Sequence, residues 1–260
     1  MPLNAHYDFI NRAKEKFSRD GRFVALLAGG SMITNTMDEF SDLDFVAVYR
    51  PEEREAVMNE RLLIAQELGG LLSAFTGDHV GEPRLIICLY GPPLLHVDMK
   101  FVMPQELEER VEDPLILWEQ GRVVSDIIGR TSSSFPYPDP QWIEDRFWVW
   151  VHYGAAKLGR GELFELIDHL TFIRGTVLGP LLLIRSGQLP RGVRKLEQYA
   201  GPHLDELIET VPLPDRESCY RALKATVHLY RQLREASSEL LLRKEAEAAA
   251  VAYLDSILSS

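Results

Sequence analysis

The chain has 260 residues, 46% of them hydrophobic, which is enough apolar material for one large core or two modest ones. Its net charge of −11 excludes, over the chain as a whole, the broad basic footprint with which a nucleic-acid groove neutralises phosphates. No apolar run reaches bilayer-spanning length, since residues 177–184 are few and contain Gly179-Pro180, and residues 1–20 lack a secretory apolar core, so cytoplasmic residence is expected.

Taken in chain order, residues 4–19 read as an amphipathic helix with Phe9, Ile10, Ala13 and Phe17 on one face. Strands are expected at 22–28 and 43–49. A helix should start at Pro51-Glu52-Glu53, where proline and acids suit a first turn, and continue through Leu62, Ile64 and Leu68. Gly69-Gly70 breaks or weakens it. A turn at Thr76-Gly77-Asp78-His79 precedes strands at 84–90 and 94–102, joined as a hairpin by Gly91-Pro92-Pro93. Cys88 falls in an apolar strand and reads as a buried thiol rather than half of a disulfide. A short acidic helix after Pro104, a strand at Leu115-Ile116-Leu117-Trp118 and a short extended piece at Val123-Val124 follow.

The polar, then proline-rich stretch 131–140 reads as a linker between a first domain at 1–130 and a second at 141–260. From Gln141 the periodicity is helical. Trp142, Ile143, Phe147, Trp148, Trp150 and Val151 make the first helix apolar nearly all round, hence central. A helix from Glu162 is expected to kink at Gly179-Pro180, and 187–192 reads as a loop. The last helical region should run from Pro214-Asp215 to about Leu258, with a break near Ser237-Ser238.

Chemistry concentrates between the first two strands. The first ends in Gly29-Gly30-Ser31, a turn whose glycines permit close approach of a ligand and whose amides attract phosphate oxygens. The second opens with Asp42-Leu43-Asp44, whose carboxylates alternate onto one face about 6.5 Å apart at the backbone. Two such charges at roughly 7 Å repel by about 2.4 kcal/mol at an effective dielectric near 20. Either the pair faces solvent at a strand edge, or it holds a cation, for which magnesium with its taste for carboxylate oxygens is the natural guest. Asp98 lies in a later alternating strand, on the face of His96 and Lys100 and opposite Val97 and Met99. His96, His152 and His169 lack metal-ligand spacing and read as packed or surface residues.

The pattern Gly30-Ser31, ten residues, Asp42-Leu43-Asp44, then a third acid at Asp98, resembles the DNA polymerase β-like nucleotidyltransferase superfamily. Within it the chain is similar to the small-molecule adenylyltransferases of the aminoglycoside and lincosamide type. Motifs carry that resemblance over residues 22–102, and architecture carries it beyond. It implies an α+β class: an N-terminal catalytic domain of mixed sheet with flanking helices, and a C-terminal all-α helical bundle completing the cleft. It implies that Asp42 and Asp44 bind Mg2+ on the triphosphate of ATP or another NTP, and that Asp98 completes a metal site or takes the acceptor's proton. Gly30, Ser31, Lys100 and Lys157 would contact the nucleotide, although Lys100 and Lys157 have ordinary readings as a salt bridge and a helix-end charge. The acceptor would be a small hydroxylated molecule, cationic in the aminoglycoside case, with no nucleic acid or membrane partner and a monomer or homodimer as the working form. A protein-nucleotidylating enzyme and a non-catalytic nucleotide-binding module are the competing readings. The loop departs from many relatives in having Thr34-Asn35-Thr36 where they carry a glycine or arginine.

Overall fold

Six strands build one mixed sheet in the computed structural model, which describes residues 3–235 and 239–257. The chain divides into two compact units, 1–135 and 136–260. The first contains α1 (Asn4–Arg19), β1 (Phe23–Ala28), β2 (Leu43–Tyr49), α2 (Arg54–Gln66), β3 (Leu71–Gly77), β4 (Glu82–Tyr90), β5 (Leu95–Val102), β6 (Leu115–Glu119) and α3 (Val123–Arg130). Strand order is β3-β4-β5-β2-β1-β6. β2 and β5 run parallel, and the other neighbours run antiparallel.

β1 buries all six of its residues between β2 and β6, which is why its sequence is continuously apolar rather than alternating. β2 and β5 alternate. Leu43, Phe45 and Ala47 join Val97, Met99 and Phe101 in a core with Phe9 and Phe17 of α1 and Val57 and Ile64 of α2. On the opposite face, Val48 and Val102 meet Leu107, Val124 and Ile127, so α3 covers that side. Asp44 and Asp98 fall on this second face by the same alternation.

Gly69 and Gly70 take φ of +80° and +77° and break the helix, one of the two outcomes expected there. Leu71–Gly77 is a strand that the sequence reading did not include, with Gly91 N–H donating to Gly70 O at 2.9 Å. β3 is an edge strand with Leu72 and Phe75 exposed, so its sequence carries no clean period of two. Val123-Val124 opens α3 and is not extended. The Glu119 carboxylate caps that helix, accepting from Val124 N–H at 2.9 Å and Ser125 N–H at 3.1 Å. A cap supplied from the end of the preceding strand leaves no local N-cap signal.

The second unit is all helical: α4 (Pro140–Arg160), α5 (Leu163–Ile173), α6 (Gly179–Arg185), α7 (Leu196–Tyr199), α8 (Leu204–Glu209), α9 (Arg216–Arg234) and α10 (Lys244–Ile257). α4 buries Ile143, Phe147, Trp148 and Val151 but leaves Trp142 40% exposed and Val149 exposed, so it is sided rather than apolar all round. The helical run continues through Gly179-Pro180. A π-turn over Arg174–Leu178 joins α5 to α6, and its wider ring accommodates the proline ahead of it. Leu163–Arg185 thereby forms one apolar helical run long enough for a bilayer, contrary to expectation, with Leu170, Ile173, Val177 and Leu182 packed inside the unit. The expected break near Ser237-Ser238 and the end at Leu258 lie outside the described residues. Both cysteines are buried thiols, and burial pushes Cys88 up to about 12.

Candidate functional site

The parallel register of β2 and β5 sets Asp44 directly beside Asp98. Carboxylates rooted on neighbouring strands about 5 Å apart repel by about 3 kcal/mol at an effective dielectric near 20 when both are charged. Asp42 is half-buried and lies one residue before β2 begins, so the alternation that places Asp44 does not by itself fix it. Among the described residues no group of three or more His, Cys, Asp or Glu gathers to hold an ion. The structure thus brings Asp44 and Asp98 together and leaves Asp42 at the edge of the pair.

The glycine turn closes on the same carboxylate. Gly29 N–H donates to Asp44 O at 2.8 Å, and Gly30 then turns with φ +56° into a short 3-10 segment, Gly30–Met32. A Cβ on Gly30 would overlap Asp44 Oδ2 and sit 3.3 Å from its Cγ, and one on Gly29 would sit 3.2 Å from Asp44 Cβ. Glycine is required at 30 twice over, by the backbone angle and by the carboxylate behind it. Ser31 Oγ is buried and has no hydrogen-bond partner among the described residues. Such a donor at a turn against a carboxylate is a polar group awaiting a ligand or a water. Carboxylate oxygens are hard donors of the kind a divalent cation takes, and the hydroxyl and turn amides are donors of the kind a phosphate oxygen takes.

The remaining expected residues are placed as follows. His96 Nε2–H donates to Asp98 Oδ1 at 2.9 Å. Strand residues two apart share a face, so this pair was legible in the spacing, though not as a metal set. Lys100 pairs with Glu82 at 2.7 Å, not with Asp98. Glu82 also takes two guanidinium bonds and one backbone N–H bond from Arg84, which in turn reaches Glu106 at 2.5 Å. Bonding to Arg84, and then to Lys100, holds Glu82 down at about 2 despite partial burial. Lys100, Gly29, Ile33, Val46 and Glu106 line a cleft of about 670 Å³ on the Asp44 face of the sheet. In the helical unit, Lys157 is held by Glu162 at 2.6 Å and Glu165 at 2.8 Å, and these bonds raise its pKa. His6 was not singled out by the sequence. It reaches the Ser41 carbonyl across 35 residues, a pairing with no local signature.

No family model and no curated protein matches the sequence. Among solved structures, the chain is similar to an aminoglycoside 6-adenyltransferase from Bacillus subtilis, at 16% identity and a TM-score of 0.44, covering 96% of this chain and 98% of that one. It is also similar to a nucleotidyltransferase-like protein from Exiguobacterium sibiricum, at 14% identity and a TM-score of 0.40, covering 86% of this chain and 74% of that one.

Proposed function

We propose that this chain is a nucleotidyltransferase that moves a nucleoside monophosphate, AMP from ATP, onto a hydroxyl of a small acceptor. The observation that carries the reading is Gly30 backed against the Asp44 carboxylate, with Asp98 in register beside it. One turn thereby offers amides and the Ser31 hydroxyl to phosphate oxygens, while the adjacent strands offer carboxylates. Magnesium held by Asp42 and Asp44 would supply charge neutralisation for the triphosphate and the departing pyrophosphate.

The protein's own groups then divide the work. Ser31 Oγ–H and the turn amides orient the phosphates. His96 Nε2–H engages Asp98 Oδ1, which turns the carboxylate and leaves Oδ2 to receive the acceptor's hydroxyl proton. The acceptor oxygen bonds to the α-phosphorus, the bond to the β-phosphate bridge breaks, and pyrophosphate carries off the electron pair. The acceptor is a hydroxylated small molecule of the aminoglycoside or lincosamide kind, in keeping with the sequence resemblance and with a chain of net charge −11.

The test is pyrophosphate release from Mg-ATP across a panel of hydroxylated small molecules. Release with one acceptor supports the reading. Label transferred to protein would replace it with side-chain nucleotidylation. Binding of Mg-ATP without turnover on any acceptor would leave a nucleotide-binding module, and no binding at all would remove nucleotide chemistry altogether.

A further inference from the structure

His6, near the start of α1, is 6% exposed, and its Nε2–H donates to the Ser41 carbonyl at 2.9 Å. A carbonyl at that distance fixes the tautomer, because only a ring N–H can serve it. Nδ1 is then buried, and it meets no hydrogen-bond partner among the described residues. A bare buried nitrogen is a cost that a core selected for stability alone would shed by adopting an apolar side chain. The ring is kept for what its other nitrogen holds.

That nitrogen holds the peptide joining Ser41 to Asp42. The residues before it close on themselves: Asp38 N–H donates to Ser41 Oγ at 2.9 Å, Phe40 N–H to Asp38 Oδ1 at 3.0 Å, and Ser41 N–H to Asp38 O at 3.2 Å. Phe40 at the tip stands 88% exposed, so the tip itself gains little from packing. Met32 and Met37 anchor the earlier part of the loop against the sheet core. His6 supplies the link from the closed turn to α1. Fixing the Ser41 carbonyl fixes the peptide plane from which Asp42 departs, at the position that β-ladder alternation does not control.

We infer that His6 is a positioning residue, which orients the peptide from which the Asp42 side chain departs by holding the Ser41 carbonyl. The link to nucleotide handling rests on the nucleotidyltransferase reading above, whereas the anchoring of the turn does not. The experiment compares His6→Leu, which removes both ring nitrogens, with His6→Gln, whose side-chain amide can still donate to the carbonyl. In the full chain, His6→Leu should melt close to the wild-type temperature, because removal of the orphaned nitrogen offsets the lost bond to the Ser41 carbonyl. Its amide hydrogen exchange over residues 38–43 should accelerate by about tenfold, and its Mg-ATP dissociation constant should rise by about tenfold, the scale of one lost hydrogen bond. His6→Gln should bring both quantities back to within about threefold of wild type, as donor rescue requires.

Wild-type exchange at 38–43 in His6→Leu would overturn the inference. So would a fall in melting temperature with exchange accelerated evenly across the sheet, which marks a structural histidine and nothing more. Accelerated exchange at 38–43 with unchanged Mg-ATP affinity would overturn the positioning of Asp42. Failure of the wild-type chain to bind Mg-ATP would sink the nucleotide reading alone, and the exchange comparison would still decide whether His6 anchors the turn.

Discussion

Two carboxylate sites in this molecule show opposite solutions to the cost of taking a charge out of water. Glu144 in α4 is fully buried and surrounded by donors: Trp148 Nε1–H at 3.0 Å, Tyr230 Oη–H at 2.7 Å, Arg243 N–H at 2.9 Å and the Arg234 guanidinium at 3.2 Å. Burial pushes its pKa up, but the bonds from Arg243, Trp148 and Tyr230 and the Arg234 charge outweigh burial and leave it lowered. Asp98 is half-buried, set beside another carboxylate, and takes its hydrogen bond from a surface histidine. A carboxylate whose donors are all supplied by the fold can only hold the fold together. One placed against a like charge, beside a turn with an unpartnered hydroxyl, is arranged for something that arrives from outside.

The sharpest way to break this contrast is Glu144→Ala. It leaves Arg234 paired with Glu247 but strands the buried Trp148 and Tyr230 donors and the Arg243 N–H. It should destabilise the protein by about 3 kcal/mol in urea unfolding, at about 1–3 kcal/mol per unsatisfied donor. A loss below about 1 kcal/mol would show that water serves those donors as well as the carboxylate does. Because the folded pKa is lowered, this stabilisation is present above the unfolded carboxylate value of about 4.3 and is lost as pH falls through the folded value. The gap between wild type and Glu144→Ala should therefore be widest near neutrality and close in acid.

The opposite signature is expected at the sheet. Asp44→Asn should cut turnover by at least about a hundredfold, the scale of losing a strong electrostatic stabiliser. Its melting temperature should hold or rise, because a repulsion is removed. A large fall in stability with turnover intact would make Asp44 a second Glu144. The smallest expected effect belongs to Gly30→Ala, which forces a φ of +56° on a residue with a Cβ, at about 1–2 kcal/mol, and pushes Asp44 Oδ2 aside. Turnover should fall by more than that stability loss accounts for. Turnover that survives the displacement would mean that the contact between turn and carboxylate is packing only.

Much of this molecule can be read in one dimension. α1 at 4–19 and β2 at 43–49 match their expected bounds, because an amphipathic face and a pleated alternation are each written in consecutive residues. That strands and helices give way to an all-helical unit is legible for the same reason, whereas the mixed sheet was implied by the family resemblance and not by periodicity. Where a neighbour supplies the missing partner, the string is silent. β3 is an edge strand with apolar residues outside, α3 takes its cap from Glu119 on β6, and Pro180 is tolerated because a π-turn precedes it.

The site divides along the same line. The sequence by itself determined which residue types are available: a Gly-Gly-Ser turn after a buried strand, two aspartates opening the next, and a third on an alternating strand. Only the tertiary structure decided which of them meet. Register between two strands separated by about a third of the first unit put Asp44 beside Asp98, a glycine turn folded back onto the Asp44 carboxylate, Glu82 claimed Lys100, and a histidine 35 residues upstream took hold of the Ser41 carbonyl. Local periodicity sets which way a side chain faces. Pairing between distant segments sets what it faces, and that depends on a closure entropy and a packing gain that no short window of residues contains.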